Sequence, residues 1–307
     1  MSTVQTSGSA MTPYHVPRDA GALAVPAVAE RAPSDTVAFV LQGGGSLCAS
    51  QVGTLRALTQ AGVRPDLVVG SSAGALNGAA FAADPSIEGI DRLEALWLRL
   101  KRRHIAPISL RTLIRAAVGR GEAAVSSAAL QQLLRSGLGV GRLEETAVPV
   151  HAVATDFETG AAVVLSRGDA VSALLASAAF PGLYPPVPVG ERRLIDGGVS
   201  ADMPVLQAEA LGATTIYVLP AAVTEQVDRQ PHAAALLAAY RALGQILDER
   251  ERRDLAAVRG SVLRLPTATT PVGSLIDFRD TPRLIEVGYR LTQDWLVQRP
   301  AATVRES

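Results

Sequence analysis

The sequence predicts an α/β protein built on one doubly wound, mostly parallel sheet. Two observations carry that prediction. A short β-branched run feeds through a glycine-rich turn into a helical segment twice in succession, at Thr36–Leu41 and again at Leu67–Val69, and strand-like runs keep alternating with helical stretches toward the C-terminus. A chain of 307 residues with 48% hydrophobic content is also long and apolar enough to bury one large core.

Residues 1–35 are rich in Ser, Thr, Pro, Ala and Gly and lack an apolar period, which predicts a disordered or loosely attached arm. The arm has neither the basic start nor the unbroken apolar core of a signal peptide. No later run approaches the roughly 20 apolar residues of a membrane-spanning helix, so a soluble, cytoplasmic protein is expected, with any membrane contact peripheral. Residues 36–299 show no internal linker and read as a single domain, with 300–307 as a tail. The formal net charge is zero, which argues against a broad basic face for nucleic acid. Cys48 is the sole cysteine, so no intrachain disulfide forms. His15, His104, His151 and His232 lack the spacing of metal ligands, and no metal or other cofactor is expected.

The first ordered stretch, Thr36–Leu41, is a continuous apolar run suited to a strand buried on both faces. Gln42-Gly43-Gly44-Gly45-Ser46 follows, then a helix over 49–61 with Val52, Leu55 and Leu58 on one side. Such a loop aims backbone N–H groups at one spot, where an anion or a developing oxyanion is stabilised. A dinucleotide-binding turn needs a third glycine where Cys48 stands, and a P-loop needs Gly-Lys-Ser/Thr, which is missing. An oxyanion hole formed by Gly43, Gly44 and Gly45 remains.

The second unit runs Leu67-Val68-Val69-Gly70-Ser71-Ser72-Ala73-Gly74 into an alanine-rich helix over 73–83. Gly-x-Ser-x-Gly between a strand and a helix is the pattern of a nucleophile elbow, a strained turn that exposes the serine above the sheet. Gly70 and Gly74 are needed because helix and strand approach too closely there for side chains, and Ala73 completes the elbow between Ser72 and Gly74. Ser72 is the candidate nucleophile; a capped small-residue turn is the plainer reading of the same residues.

From Pro85 to Gly141 the pattern is helical. Ile90, Leu93, Leu96, Trp97 and Leu100 form one apolar face, and Arg99, Lys101, Arg102 and Arg103 crowd its end. Basic residues at the C-terminal end of a helix dipole account for that crowding, and a membrane-facing patch is the sharper alternative. Helices follow at 110–118 and 128–138. A strand over 148–155 turns at Asp156-Phe157-Glu158-Thr159-Gly160 into a hairpin partner over 161–166, Asp156 being a turn residue and His151 a strand residue. Asp169 caps a helix over 170–179, and a proline-rich loop, Tyr184–Pro188, leads to a strand at Arg193-Leu194-Ile195.

Asp196-Gly197-Gly198 ends that strand. By itself it reads as an Asp-Gly hairpin turn. With an elbow serine upstream, Asp196 becomes a candidate base, since a serine hydroxyl needs a group to accept its proton. Only His232 follows Asp196, at the start of an alanine-rich helix, so a Ser-Asp-His triad is poorly supported.

Taken together these segments resemble the patatin-like phospholipases, the lipid acyl hydrolases, over roughly 37–220 with a weaker echo near 283–289. Gly43-Gly44-Gly45 matches the family's oxyanion loop, Gly70-Ser71-Ser72-Ala73-Gly74 its elbow, and Asp196-Gly197-Gly198 its aspartate motif; Thr155–Gly160 and Ala176–Gly182 look like family segments as well. The resemblance implies a three-layer α/β/α fold and a catalytic dyad, Ser72 and Asp196, acting on a lipid or acyl ester through an acyl-enzyme, with Gly197 and Gly198 supporting the aspartate. It implies no cofactor and no nucleic-acid partner. Two departures stand out. Where the family usually carries a small residue, then Arg or Lys, then Gly, this chain has Ser46, Leu47 and Cys48; where family members often read Asn-x-Pro, it has Asp202-Met203-Pro204. A catalytically silent, lipid-binding relative is the alternative that Leu47 and Cys48 suggest.

The remaining reading is a strand over 214–219, a long or broken helix over 233–257, a strand over 261–265 and a closing helix over 282–297 with Leu284, Val287, Leu291 and Trp295 on one face.

Overall fold

The computed structural model describes residues 35–105, 125–224, 247–271 and 274–298. The expected helix over 110–118, the segment 233–246 and His232 lie outside them.

Strand β1 (Val37–Leu41) is buried at every residue. Val37, Phe39 and Leu41 face one hydrophobic cluster while Ala38 and Val40 face another. With both faces covered there is no polar side to alternate, hence the unbroken apolar run. Helix α1 (Ala49–Gln60) returns the chain to β2 (Leu67–Ser71), also fully buried, and α2 (Ala73–Ala83) and α3 (Ile87–Arg99) follow. Ser86 caps α3 by accepting the Gly89 N–H at 3.1 Å, and Ile90, Leu93 and Trp97 of the expected apolar face are buried.

The other strands are β3 (Val150–Asp156), β4 (Ala162–Leu165), β5 (Val187–Val189), β6 (Arg192–Asp196), β7 (Thr215–Leu219), β8 (Val223–Thr224), β9 (Ser261–Arg264) and β10 (Thr269–Thr270). The main sheet runs β5-β6-β3-β2-β1-β7-β9, with β4 also paired to β3. Its centre is parallel, through β3/β2, β2/β1, β1/β7 and β7/β9; β4, β5 and β6 are joined antiparallel. On one face α1, α2, α3, the helix Ala170–Ser177 and the closing helix Thr281–Gln298 share a core with Phe39 and Leu41. On the other, Ala201, Val205, Ala208 and Leu255 pack against Ala38, Val40, Val69 and Val218. The result is the three-layer α/β/α arrangement.

Part of the proline-rich stretch read as loop is strand. β5 pairs Pro188 with Arg193 at the outer edge of the sheet, where a residue without an N–H costs nothing to a neighbour. The β8/β10 pair was not expected either: two residues on each side give no period to detect.

The closing helix crosses α1 backbone to backbone. A Cβ on Gly53 would stand 1.9 Å from the Ile285 carbonyl oxygen, and one on Gly288 would stand 2.2 Å from that of Ser50. Gly288→Ala is therefore expected to push the helices apart at a cost of about 3 kcal/mol or more. Calorimetry should read this as a Tm lower by roughly 5 °C. Gly137→Ala, whose added carbon meets only Leu96 Cδ2 at 3.5 Å, should leave Tm almost unchanged and serves as the control.

Candidate active site

Strand β2 ends at Ser71, and the next residue turns sharply. Ser72 has φ 51° and ψ −129°, and among the described residues it is the only non-glycine with positive φ. Side chains with a Cβ rarely adopt that geometry, so surrounding contacts must impose it. A Cβ on Gly70 would fall 2.6 Å from Ala75 Cα, and one on Gly74 would fall 2.4 Å from both the Leu41 and the Gln42 carbonyl oxygens. Strand, turn and helix are thus locked together at the two glycines expected to allow it.

Asp196 reaches Ser72 through the pairing of β3. In the parallel ladder Ser71 stands opposite Val153; in the antiparallel ladder Asp196 stands opposite Ala154, the next residue. β4 occupies the other edge of β3 from Ala152 to Thr155, so β2 and β6 share one edge and meet end to end. Two strands entering from opposite directions thereby bring the serine and the aspartate together. Ser72 Oγ donates to Asp196 Oδ2 at 2.7 Å, and the Gly198 N–H donates to Asp196 Oδ1 at 2.8 Å.

The backbone around both residues is tied down. The Ser72 N–H donates to Ser177 Oγ at 3.0 Å, whose hydroxyl donates to the Val153 carbonyl at 2.6 Å. The Gly197 N–H donates to the Ser177 carbonyl and the Asp196 N–H to that of Ala179, at 3.1 and 3.0 Å. Thr155 Oγ1 donates to the Asp196 carbonyl at 2.8 Å. In the sequence Ser177 has no role of its own, and Ala176–Gly182 is marked only by its resemblance to a family segment; the run of small residues there is the signal that tight backbone packing leaves. A Cβ on Gly197 would stand 2.1 Å from the Val153 carbonyl oxygen, so that glycine has a packing reason too.

Asp196 is 2% exposed. Burial pushes its carboxyl up to about 7, against the opposing pull of the Ser72 and Gly198 hydrogen bonds, and nearby Asp202 raises it further. A carboxyl poised near neutrality is suited to exchange a proton with a hydroxyl.

The glycine loop lies against the elbow: a Cβ on Gly43 would be 3.3 Å from Ser72 Cβ. Its N–H groups do not all face the same way. Gly43 donates to the Asp202 carbonyl at 3.0 Å and is engaged there. Gly44 and Gly45, at φ 151° and 56°, donate to no acceptor among the described residues. Outside the loop, Ser46 donates its N–H to the Leu275 carbonyl at 2.7 Å and its hydroxyl to that of Ser274 at 3.0 Å. Leu47 and Cys48, from the first of the two departures, both belong to the core. Burial pushes the Cys48 thiol well up, with Asp202 and Asp196 adding to it, so the side chain is a neutral packing group.

Asp156 is a turn residue, its Oδ1 accepting the N–H groups of Glu158 and Thr159 at 3.1 and 3.0 Å. His151 sits opposite Val69 in the ladder, its Nδ1 2.8 Å from Ser166 Oγ, and burial lowers its pKa. Asp169 caps its helix by accepting the Ser172 N–H at 2.7 Å. Among the described residues no group of three His, Cys, Asp or Glu is placed to hold a metal, and no helix is long and apolar enough to cross a membrane.

The model of the patatin-like phospholipase family matches residues 39–209, more than half of the chain. The chain belongs to the patatin-like phospholipase family. Among relatives of this patatin-like protein, an uncharacterized NTE family protein of Mycobacterium tuberculosis is 32% identical over 181 residues, covering 58% of this chain and 29% of the relative. The human patatin-like phospholipase domain-containing protein 6 is 28% identical over 204 residues, covering 66% of this chain and 14% of that protein. The chain thus spans less than a third of the length of these curated relatives. VipD from Legionella pneumophila, a solved structure, superposes with a TM-score of 0.48 at 14% identity, covering 86% of this chain and 67% of that one.

Proposed function

We propose that this patatin-like protein hydrolyses fatty acyl esters of lipids, with Ser72 as nucleophile and Asp196 as its base. The observation that supports this most directly is the 2.7 Å hydrogen bond between Ser72 Oγ, on its left-handed turn, and Asp196 Oδ2. As Oγ attacks the ester carbonyl carbon, its proton passes to Asp196. The carbonyl oxygen becomes an oxyanion, for which the N–H groups of Gly44 and Gly45 are the available donors in the loop. Collapse breaks the bond to the alcohol, which leaves with the proton from Asp196, and the acyl group stays on Ser72. Water, giving its proton to Asp196, then attacks the acyl-enzyme; as the bond from the acyl carbon to Ser72 Oγ breaks, Oγ takes that proton back from Asp196 and the fatty acid is released. Family membership supports a lipid as the source of the ester, and nothing in this sequence of steps needs a metal.

The test is incubation with an alkyl fluorophosphonate followed by peptide mass spectrometry, beside release of nitrophenol from a medium-chain ester. A single adduct on Ser72 together with turnover is the expected result. Lipid binding with neither adduct nor turnover would instead favour a catalytically silent lipid-binding relative.

A further inference from the structure

Asp202 follows the short helix Gly198–Ala201 and is wedged between the glycine loop and the turn that carries Asp196. Its carbonyl accepts the Gly43 N–H at 3.0 Å, and its Oδ2 accepts from Gln42 Nε2 at 3.0 Å. A Cβ on Gly43 would meet Asp202 Oδ1 at 2.4 Å; one on Gly198 would stand 3.1 Å from Asp202 Oδ1 and 3.1 Å from Asp196 Oδ1. Gln42 is fixed in turn, its Oε1 accepting the Ala221 N–H at 3.1 Å and its Nε2 also reaching Glu251 Oε2 at 3.4 Å. One glutamine amide is therefore shared by two carboxyl groups directly behind Gly43, Gly44 and Gly45.

The charges around Asp202 are mostly of its own sign. Asp196 on β6 lies on the loop side, beside the neutral Cys48 thiol, and Asp248 and Glu251 face it from the helical residues 247–257. Arg264 on β9 is paired to Glu251 at 2.7 Å, and Arg250 donates to the Val199 carbonyl at 3.4 Å. Among the described residues no basic side chain forms an ion pair with Asp202. Burial, with Glu251 and Asp248 adding to it and Gln42 opposing it, pushes the Asp202 carboxyl up to about 6.

We propose, on the basis of the Ser72–Asp196 reading, that Asp202 is a positioning residue whose charge restrains turnover. Its carbonyl and carboxyl hold the loop through Gly43 and Gln42. Once ionised, it opposes both the charge on Asp196 and the oxyanion expected at Gly44 and Gly45. Asparagine at this place would keep both hydrogen bonds and remove the charge, so the two contributions are separable.

The experiment is the dependence of kcat/KM on pH, from 5 to 9, for nitrophenyl butyrate with the wild-type chain, Asp202→Asn, Asp202→Ala and Ser72→Ala. In Asp202→Asn the rising limb should move to lower pH by roughly half a unit to one unit; kcat/KM should rise up to about severalfold between the pH at which Asp202 ionises and the limb's midpoint, and the two profiles should converge toward about pH 5, where Asp202 is protonated in the wild type. Asp202→Ala, which loses the Gln42 bond, should lower kcat about tenfold with little change in KM. Superimposable profiles for wild type and Asp202→Asn, with turnover still dependent on Ser72, would overturn the proposal alone. Turnover that survives Ser72→Ala would overturn the dyad reading with it. Carboxyl 13C NMR of the intact protein follows Asp196 without needing turnover. Its titration midpoint should fall in Asp202→Asn, and an unmoved midpoint overturns the coupling even if no ester is cleaved.

Discussion

Ser72→Ala should remove ester hydrolysis almost entirely, with kcat falling by roughly four to six orders of magnitude, while the protein stays folded. The hydroxyl is the only atom lost, and its bond to Asp196 is the only side-chain bond it makes among the described residues. The main-chain restraints persist, because the Ser72 N–H bond to Ser177 and the contacts of Gly70 and Gly74 do not involve that hydroxyl. Ser72→Gly provides a second reading of the same turn. It should be equally inactive yet more stable, by about 1 kcal/mol, since glycine adopts φ 51° without the strain a Cβ brings. The checks are nitrophenyl ester kinetics and thermal melts on both variants. A Ser72→Ala protein with intact secondary structure and more than a few per cent of wild-type turnover would sink the nucleophile assignment.

Asp196→Asn should lose activity by about three orders of magnitude or more and gain stability at alkaline pH. The sign follows from linkage. The carboxyl titrates near 7 in the fold against an ordinary value of 3.8, so the folded state holds its proton more tightly than the unfolded chain. The stability this contributes is fully present below about pH 4 and is lost as pH rises through about 7. Asparagine has no charge to bury and escapes that loss. Wild type and variant should therefore melt at similar temperatures near pH 4.5 and diverge by a few kcal/mol by pH 8, the variant being the more stable. Melting curves at four or five pH values decide it, and a constant difference across the range would mean that Asp196 does not titrate as described. The carboxyl that suits a base at neutral pH is thus also a source of instability there, which is a common feature of buried functional groups.

How much of this could be seen in the residues alone depends on the range of the interaction. Continuous apolar runs predicted β1 and β2 because strands covered on both faces need no polar side. The elbow was legible because a tight strand-to-helix turn demands small residues at Gly70 and Gly74 within a few positions of Ser72. The Asp156 turn and the Asp169 cap were legible for the same reason, their partners being two or three residues away. Edge strand β5 was missed because its proline argues against a strand unless it is known to lie at an edge, and being at an edge is a property of the whole sheet.

The meeting of Ser72 with Asp196 belongs to the tertiary structure. Each lies at the end of its own strand, and only the register of both against consecutive residues of β3 brings a serine and an aspartate to 2.7 Å. The same holds for the Ser177 hydroxyl beneath the elbow, for the Gly43 N–H that turns to Asp202, and for the paired glycines of α1 and the closing helix. The sequence by itself determined the local elements and which residues carry reactive groups, since backbone periodicity and turn chemistry act over a few residues. The tertiary structure alone decided which groups face one another, how far burial moves their protons, and which loop amides are left to donate, because sheet register and dehydration are set by segments far apart in the chain.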